Sequence, residues 1–205
     1  MGIYCNIENM NYIVVGLGNP GEEYEMTRHN TGRIVLAPFH KKEDFSDWKI
    51  DKKLKALVSV GKIGKDKVEI IFPETFMNKS GASIAPVVKN KKQAERLIVV
   101  QDDLDLPLGT IKISFNRGSG GHKGIESIIR AIKTEAFVRV RVGVSPKTTK
   151  GKAKKPKGED KIVDFIIGKF SKLEQEAIKK VGKQVTEAIT VLVKEGREKA
   201  MGEFN

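Results

Sequence analysis

The chain has 205 residues, of which 39% are hydrophobic and 31% are charged. This length and composition fit one globular domain with a full hydrophobic core and exclude a disordered chain; no apolar run approaches the ~20 residues of a membrane span. The net charge of +12 favours a phosphate-rich partner, either nucleic acid or an anionic membrane, although charge alone does not distinguish these from a merely basic protein.

The first half of the chain contains three apolar runs and two segments with apolar residues at helical spacing. The predicted strands are residues 12–17, 55–60 and 68–72. The last two form a hairpin or a neighbouring pair, because Gly61 and a GKDK turn separate them. The predicted helices are residues 30–39 and 80–88, the second opened by Ser80 as a cap, with a loop over residues 75–78 before it.

The second half of the chain repeats this alternation. The predicted strands are residues 97–101, 110–115 and 138–144, and the predicted helices are residues 124–133 and 172–194. Strict alternation in VRVRVGV places Arg139 and Arg141 on the polar face of the last strand. Residues 145–161, called the basic loop here, carry seven lysines and are expected to be flexible. A short apolar segment follows over residues 162–170.

Alternating strands and helices with apolar central strands predict an α/β fold. We expect a single domain over residues 1–205, a three-layer α/β/α sandwich around a central twisted sheet that is mixed and mostly parallel. Ligands bind such sheets beyond the carboxyl ends of the strands. Four polar segments follow predicted strands and are therefore expected to converge: residues 18–30, 75–78, 102–105 and 118–123.

The N-terminus and the cysteine and histidine content bear on location and on metal binding. Residues 1–10 are expected to be frayed, and they contain Cys5, the only cysteine. One thiol cannot form an internal disulfide, and three histidines without metal-ligand spacing argue against a metal site. Because the N-terminus also lacks the blocks of a signal peptide, we expect a reducing, cytoplasmic location.

Residues 16–21, GLGNPG, match the G-x-G-x-x-G fingerprint of dinucleotide-binding loops. In such a loop a helix begins within the fingerprint, and an acidic residue ends a second strand ~20 residues further on. Here no apolar helical face begins before about Ile34, and the acids Glu43 and Asp44 do not follow a strand. The glycines therefore indicate a tight turn with unusual backbone angles rather than a nucleotide site.

Candidate catalytic groups lie in the polar segments. His29 can accept a proton near neutral pH, and Asp102, at the end of a buried strand, is placed to orient its other nitrogen. Asn19 and Asn78 offer amide donors and acceptors that can hold a peptide backbone or an oxyanion. From the residues alone, a helix-capping histidine, a solvated strand-end aspartate and asparagines in ordinary turns remain alternatives.

Five ordered motifs resemble the bacterial-type peptidyl-tRNA hydrolases, over residues 13 to about 192. They are VGLGNPGEEYEMTRHNTG, PETFMNKSG, VVQDDLDLPLGTIKI, GSGGHKG and RVRVGV. The resemblance implies hydrolysis of the ester between a peptide and the terminal ribose of tRNA, with His29 as the base that activates water and Asp102 as the aspartate that polarises it. It also implies that four residues contact the peptide or the tRNA end: Asn19, Tyr24, Phe76 and Asn78.

The sequence departs from the family pattern at Lys123, where the family often has asparagine in GGHNG. A lysine cannot accept a hydrogen bond, so we expect Lys123 to bind substrate by stabilising developing negative charge or by contacting a phosphate. His122 precedes it and is expected either to take part in hydrogen bonding in this loop or to be structural.

The resemblance assigns Arg141 to the 5′ phosphate region of tRNA. Three lysines of the basic loop, called the loop lysines here, are expected to add sequence-independent attraction to phosphate: Lys147, Lys150 and Lys152. For any one of them a solvated position that touches nothing is the alternative. Water, a base and polarising groups suffice to hydrolyse an ester, so we expect no metal or cofactor. We also expect the protein to be a monomer that binds tRNA and does not bind a membrane.

Two other functions stay open from the sequence. A non-catalytic RNA-binding protein on the same fold would explain the charge, but it has no need to combine a histidine, an aspartate and two asparagines in this way. A nucleotide-dependent oxidoreductase has only the glycine fingerprint in its favour.

Overall fold

The computed structural model describes residues 11–205; Cys5 and the segment expected to be frayed, residues 1–10, lie outside the described residues. Seven strands form one sheet in this part of the chain. Their bounds are Asn11–Gly16 (β1), Lys49–Asp51 (β2), Ala56–Ile63 (β3), Asp66–Pro73 (β4), Leu97–Pro107 (β5), Ile111–Phe115 (β6) and Val138–Ser145 (β7). Their order across the sheet is β2-β3-β4-β1-β5-β7-β6.

The sheet is parallel at its centre and antiparallel at its margins. β1 pairs in parallel with β4 and β5, and β5 pairs in parallel with β7. β3 is antiparallel to β2 and β4, and β6 is antiparallel to β7. Val14 and Val15 of the central β1 point to opposite faces, and neither is exposed. The apolar run that predicts this strand is therefore explained by burial on both faces.

Seven α-helices cover the two faces of the sheet in residues 11–205. They are Thr31–Lys42 (α1), Gly81–Ile84 (α2), Lys91–Ala94 (α3), Lys123–Ile132 (α4), Glu159–Ile167 (α5), Lys172–Lys194 (α6) and Arg197–Phe204 (α7). α6 begins with a capping box: the Ser171 hydroxyl accepts the Glu174 N–H, and the Glu174 carboxylate accepts the Ser171 N–H. None of these helices is long and apolar enough to cross a bilayer.

Two hydrophobic clusters lie on opposite faces of the sheet. One joins Val14 and Val100 to the buried sides of α1, α6 and α7. The other joins Val15 and Val99 to α2, α3 and α4, where Ile125 is fully buried. The predicted three-layer α/β/α sandwich with a mixed sheet is confirmed.

The predicted helix over residues 80–88 is wrong in length and in its cap. α2 has only four residues, and a 3-10 helix, Met77–Lys79, precedes it. Ser80 already has helical backbone angles, and its hydroxyl donates to the Met77 carbonyl instead of accepting an amide N–H. Ser80 therefore continues a helical turn that starts earlier, within the predicted loop of residues 75–78.

β5 is longer than the predicted strand of residues 97–101. It continues to Pro107 and pairs with β7 up to Asp103, beyond which the register shifts. Asp102 is consequently held inside the ladder opposite Val142 rather than at a strand end. β2, α3 and α7 are not among the predicted elements, because the first two are too short to show a period and α7 buries only Ala200. The basic loop also ends earlier than predicted: α5 begins at Glu159, and no sequence pattern indicated this start because none of the residues of α5 is buried.

Candidate active site

The loop after β1 is closed by the side chain of Asn30. Its Oδ1 accepts the Asn19 backbone N–H at 2.8 Å, and its Nδ2 donates to the Asn19 carbonyl at 2.9 Å. At Gly18 a Cβ would meet the Asn30 side chain at 3.0 Å, and Gly21 has a φ of 107° that only glycine adopts readily. α1 begins ten residues after Gly21, at Thr31, so no α-helix starts within the glycine fingerprint.

This closed loop carries His29, within the 3-10 helix Arg28–Asn30, to the carboxyl end of the sheet. His29 Nδ1 lies 3.0 Å from Asp102 Oδ1 and 3.1 Å from Oδ2. Both residues are buried, and the polar segments 18–30 and 102–105 therefore converge as predicted. An ionised carboxylate can only accept hydrogen bonds, so His29 Nδ1 carries a proton, and in the neutral ring Nε2 keeps its lone pair.

The two groups shift each other's proton affinity. Burial by itself lowers the pKa of His29, but attraction to Asp102 and the hydrogen bond with it outweigh burial and raise that pKa above its ordinary value. Burial likewise raises the pKa of Asp102, yet the contacts with His29 and His122 prevail and hold that pKa well below its ordinary range. Asp102 is therefore a carboxylate throughout the physiological range.

His122 is a third member of the site that the sequence did not assign. It is the N-cap of α4, and its Nδ1 accepts the backbone N–H groups of Gly124 and Ile125 at 3.2 and 3.4 Å. Its Nε2 lies 3.0 Å from Asp102 Oδ1. The signal available in the sequence was a histidine two residues before the predicted helix of residues 124–133, but the contact with Asp102 is tertiary and left no pattern.

His29, Asp102 and His122 are of the types that bind transition metals, and they form the one such cluster in residues 11–205. The cluster is also complete without a cation, because the carboxylate accepts an N–H from each histidine. Hydrogen bonding therefore accounts for the arrangement.

Asn19 is oriented by the neighbouring loop. Its side-chain Oδ1 accepts the Met77 backbone N–H at 2.8 Å. This contact fixes the amide, so that Nδ2 is the group left to donate, and no residue of the described chain accepts from it. A positioned amide donor of this kind can bind a carbonyl oxygen or an oxyanion.

Arg28, beside His29, holds α5 in place. Its guanidinium donates to the carbonyls of Phe165 and Gly168 and to both oxygens of Glu174, at 2.8 and 3.0 Å. It also lies 4.4 Å above the ring of Phe165. The position of α5 is thus set by the residue next to His29 in the chain.

A cavity of about 820 Å³ opens at His29 and runs under α5. Of the predicted site residues, it is lined by His29, Asp102, Lys123 and Arg141. The side chain of Lys123 is 63% exposed and lies 3.6 Å from Glu126. The remaining predicted substrate contacts lie outside this lining: Asn19 is buried, Tyr24 is half-buried, Phe76 is 56% exposed and Asn78 is exposed.

The basic residues divide between the cavity and the basic loop. Arg139 and Arg141 share one face of β7 and line the cavity, where Arg139 is only 5% exposed and Arg141 Nε donates to Asp103 at 2.6 Å. All lysines between β7 and α5 are exposed. The loop lysines do not line the cavity, whereas Lys155 does and pairs with Asp105.

Comparisons with known proteins agree with one another. A family model described as peptidyl-tRNA hydrolase matches residues 13–205. The peptidyl-tRNA hydrolase of Carboxydothermus hydrogenoformans is 40% identical over 95% of this chain and 98% of its own length. That of Syntrophotalea carbinolica is 35% identical over 94% and 96%. The crystal structure of peptidyl-tRNA hydrolase from Acinetobacter baumannii superposes with a TM-score of 0.84 at 29% identity, covering 97% of both chains.

Proposed function

Because this chain belongs to the peptidyl-tRNA hydrolase family and hydrolyses the ester bond of peptidyl-tRNA, we propose that His29 is the base that activates the attacking water. The observation that carries this proposal is the buried contact of His29 Nδ1 with Asp102. It leaves Nε2 as the proton acceptor of a residue that lines the cavity. General-base help of this kind is worth about 10²- to 10⁴-fold in rate.

The reaction consumes one water molecule, and His29 transfers one of its protons to the departing ribose oxygen. His29 Nε2 takes a proton as the water oxygen attacks the ester carbonyl carbon, and the resulting imidazolium is stabilised by Asp102. The bond from that carbon to the ribose oxygen then breaks, and the imidazolium returns the proton to the departing oxygen. The products are the free peptide acid and tRNA with its terminal hydroxyl restored.

Asn19 is proposed to bind the carbonyl oxygen of the substrate. Its amide is held by the Met77 N–H, so its Nδ2 donor is presented without reorganisation. Phe76 and Asn78 are proposed to bind the peptide beside it, because an exposed aromatic ring and an exposed amide offer an apolar and a polar contact on one turn. Tyr24 is proposed to lie at the tRNA end.

The tRNA itself is proposed to enter the cavity. Arg141 and Lys123 place positive charge in its lining, and the loop lysines add charge at the exposed loop beside it. Such contacts with phosphate give affinity that does not depend on sequence and falls as salt rises. We further propose that the protein acts as a monomer in the cytoplasm. It is proposed to need no metal or cofactor, because the hydrogen-bonded site already supplies a base and its counter-charge.

A matched pair of histidine variants tests the proposal. His29→Ala is compared with His40→Ala, which removes an imidazole that stacks on Trp48 away from the cavity. We expect wild type and the His40 variant to hydrolyse N-blocked aminoacyl-tRNA and to spare unblocked aminoacyl-tRNA, and the His29 variant to lose at least about 10²-fold. Equal activity of the His29 and His40 variants would refute the role of His29.

A further inference from the structure

We propose that His122 is a positioning residue for this reaction: it donates to the same Asp102 oxygen as His29 and so sets how tightly His29 keeps its proton. The proposal rests on the role of His29 as the base. It adds a second imidazole that acts through Asp102.

The helix cap fixes the tautomer of His122. Its Nδ1 accepts two backbone N–H groups at the start of α4, so that nitrogen carries a lone pair. In the neutral ring the proton must then be on Nε2, which faces Asp102 Oδ1 at 3.0 Å. His122 is therefore a donor to Asp102 whose orientation is set by α4, with its ring centroid 5.1 Å from that of His29.

Asp102 divides its negative charge between two donors. Oδ1 lies 3.0 Å from each histidine nitrogen, while Oδ2 contacts only His29. A donor that lowers the basicity of the carboxylate also weakens its hold on the His29 imidazolium. His122 thereby limits the rise in His29 pKa that Asp102 alone would cause, and it keeps more of the base in its active, neutral form.

The other charged groups near the site are engaged elsewhere. Asp103 pairs with Arg141 on β7, Lys123 with Glu126 on α4, and Arg28 with Glu174 on α6. The further charged groups that line the cavity, from the loops, β5, β6, β7 and α5, are Asp105, Lys112, Arg117, Arg139, Lys155 and Glu159. Among the described residues only the two histidines bond to the Asp102 carboxylate.

His122 could instead be no more than a helix cap. Two substitutions separate these roles because each keeps one half of the imidazole. His122→Asn places an amide oxygen where Nδ1 lies, and asparagine is a favoured N-cap, but it has no group to reach Asp102. His122→Gln places an amide N–H near the Nε2 position and gives up the short-range cap.

The test measures the His29 pKa directly by NMR titration of the imidazole C–H signals, without substrate. The chain has three histidines, so each His122 variant retains two, and His40→Gln identifies the other. We expect the Asn variant to keep its melting temperature and to raise the His29 pKa by roughly half a unit or more. A hydrogen bond to a charged group is worth more than one pKa unit, and part of the change at the Asp102 carboxylate is passed on to the His29 pKa. The acid limb of kcat/KM should move upward by the same amount.

The Gln variant should melt lower than wild type and keep the wild-type His29 pKa. An unchanged His29 pKa in a folded Asn variant would overturn the proposal and leave His122 as a cap. So would an equal upward shift in both variants, because the donor to Asp102 would then not be its source. Since the titration needs no catalysis, a His29→Ala variant that stayed active would refute the base role without affecting this result.

Discussion

Asp102→Asn removes the charge behind His29 and keeps nearly the same shape. Asp102 is 3% exposed and bonds to two histidines at 3.0 Å. In the reaction His29 becomes an imidazolium, and its stabilisation by this carboxylate exists only after the proton has moved. The substitution should therefore lower kcat and leave tRNA affinity close to wild type.

The size of the loss follows from the charges. Two unit charges centred about 4 Å apart attract by about 4 kcal/mol at the effective dielectric of ~20 that suits protein sites. At 1.36 kcal/mol for each factor of ten, this is a loss of about 10³-fold in kcat/KM. Since His122 Nε2–H needs an acceptor, the asparagine oxygen should stay at the Oδ1 position and its NH₂ should face His29. That contact favours the wrong tautomer, with the proton on Nε2.

The assay is hydrolysis of N-blocked aminoacyl-tRNA as a function of pH, together with tRNA binding. Asp105→Asn is the control, because it makes the same change in the same strand at an exposed position that pairs with Lys155. It should change kcat less than about threefold, as a surface ion pair is worth little. A loss below tenfold for the Asp102 variant, with a wild-type pH profile, would refute the reasoning.

Three further outcomes are expected. The acid limb of wild-type kcat/KM should lie above pH ~6.5, because Asp102 raises the pKa of His29 and the base is inactive when protonated. In Asp102→Asn the acid limb should fall below that pH, because only burial then shifts the His29 pKa. Gly32→Ala should lower the free energy of unfolding in urea by about 3 kcal/mol, because the added Cβ would meet the Leu17 backbone nitrogen at 2.5 Å. The control Gly202→Ala should be neutral or stabilising, because its Cβ would meet nothing within 4 Å. Replacing all three loop lysines by alanine should reduce the slope of log affinity for tRNA against log salt by up to about 2–3 units if each contacts a phosphate, and an unchanged slope would mean that they are solvated.

Much of the fold could be predicted because its signals are local. The apolar runs that became β1, β4 and β5 lie at the centre of the sheet and are buried on both faces, and the apolar residues at helical spacing over residues 172–194 indicate α6. The error at Ser80 arose because a serine before a short apolar segment looks like a cap, whereas the preceding 3-10 helix had already set its backbone. The backbone conformation of Ser80 is thus set by the three-dimensional course of the preceding residues, which the local sequence pattern does not reveal.

The candidate site could likewise be predicted only in part from the sequence. His29 and Asp102 could be placed together because each follows an apolar run that predicts a buried strand, and the resemblance carried by the five motifs implied their roles. The participation of His122 and the anchoring of α5 by Arg28 depend on contacts between residues 20 and more than 130 positions apart. The basic loop shows a further limit: its composition indicated charge, but only the structure places Lys155 in the cavity lining and the loop lysines outside it.

Single-turnover hydrolysis by His29→Ala, with enzyme in excess over N-blocked aminoacyl-tRNA, tests the central claim most directly. Saturating enzyme removes binding from the measured rate, and tRNA affinity is measured in the same samples. A rate constant reduced by at least about 10²-fold, with unchanged affinity and melting temperature, is the expected result for loss of a general base. A wild-type rate constant for the bound substrate would contradict the account, since another group would then have to activate the water.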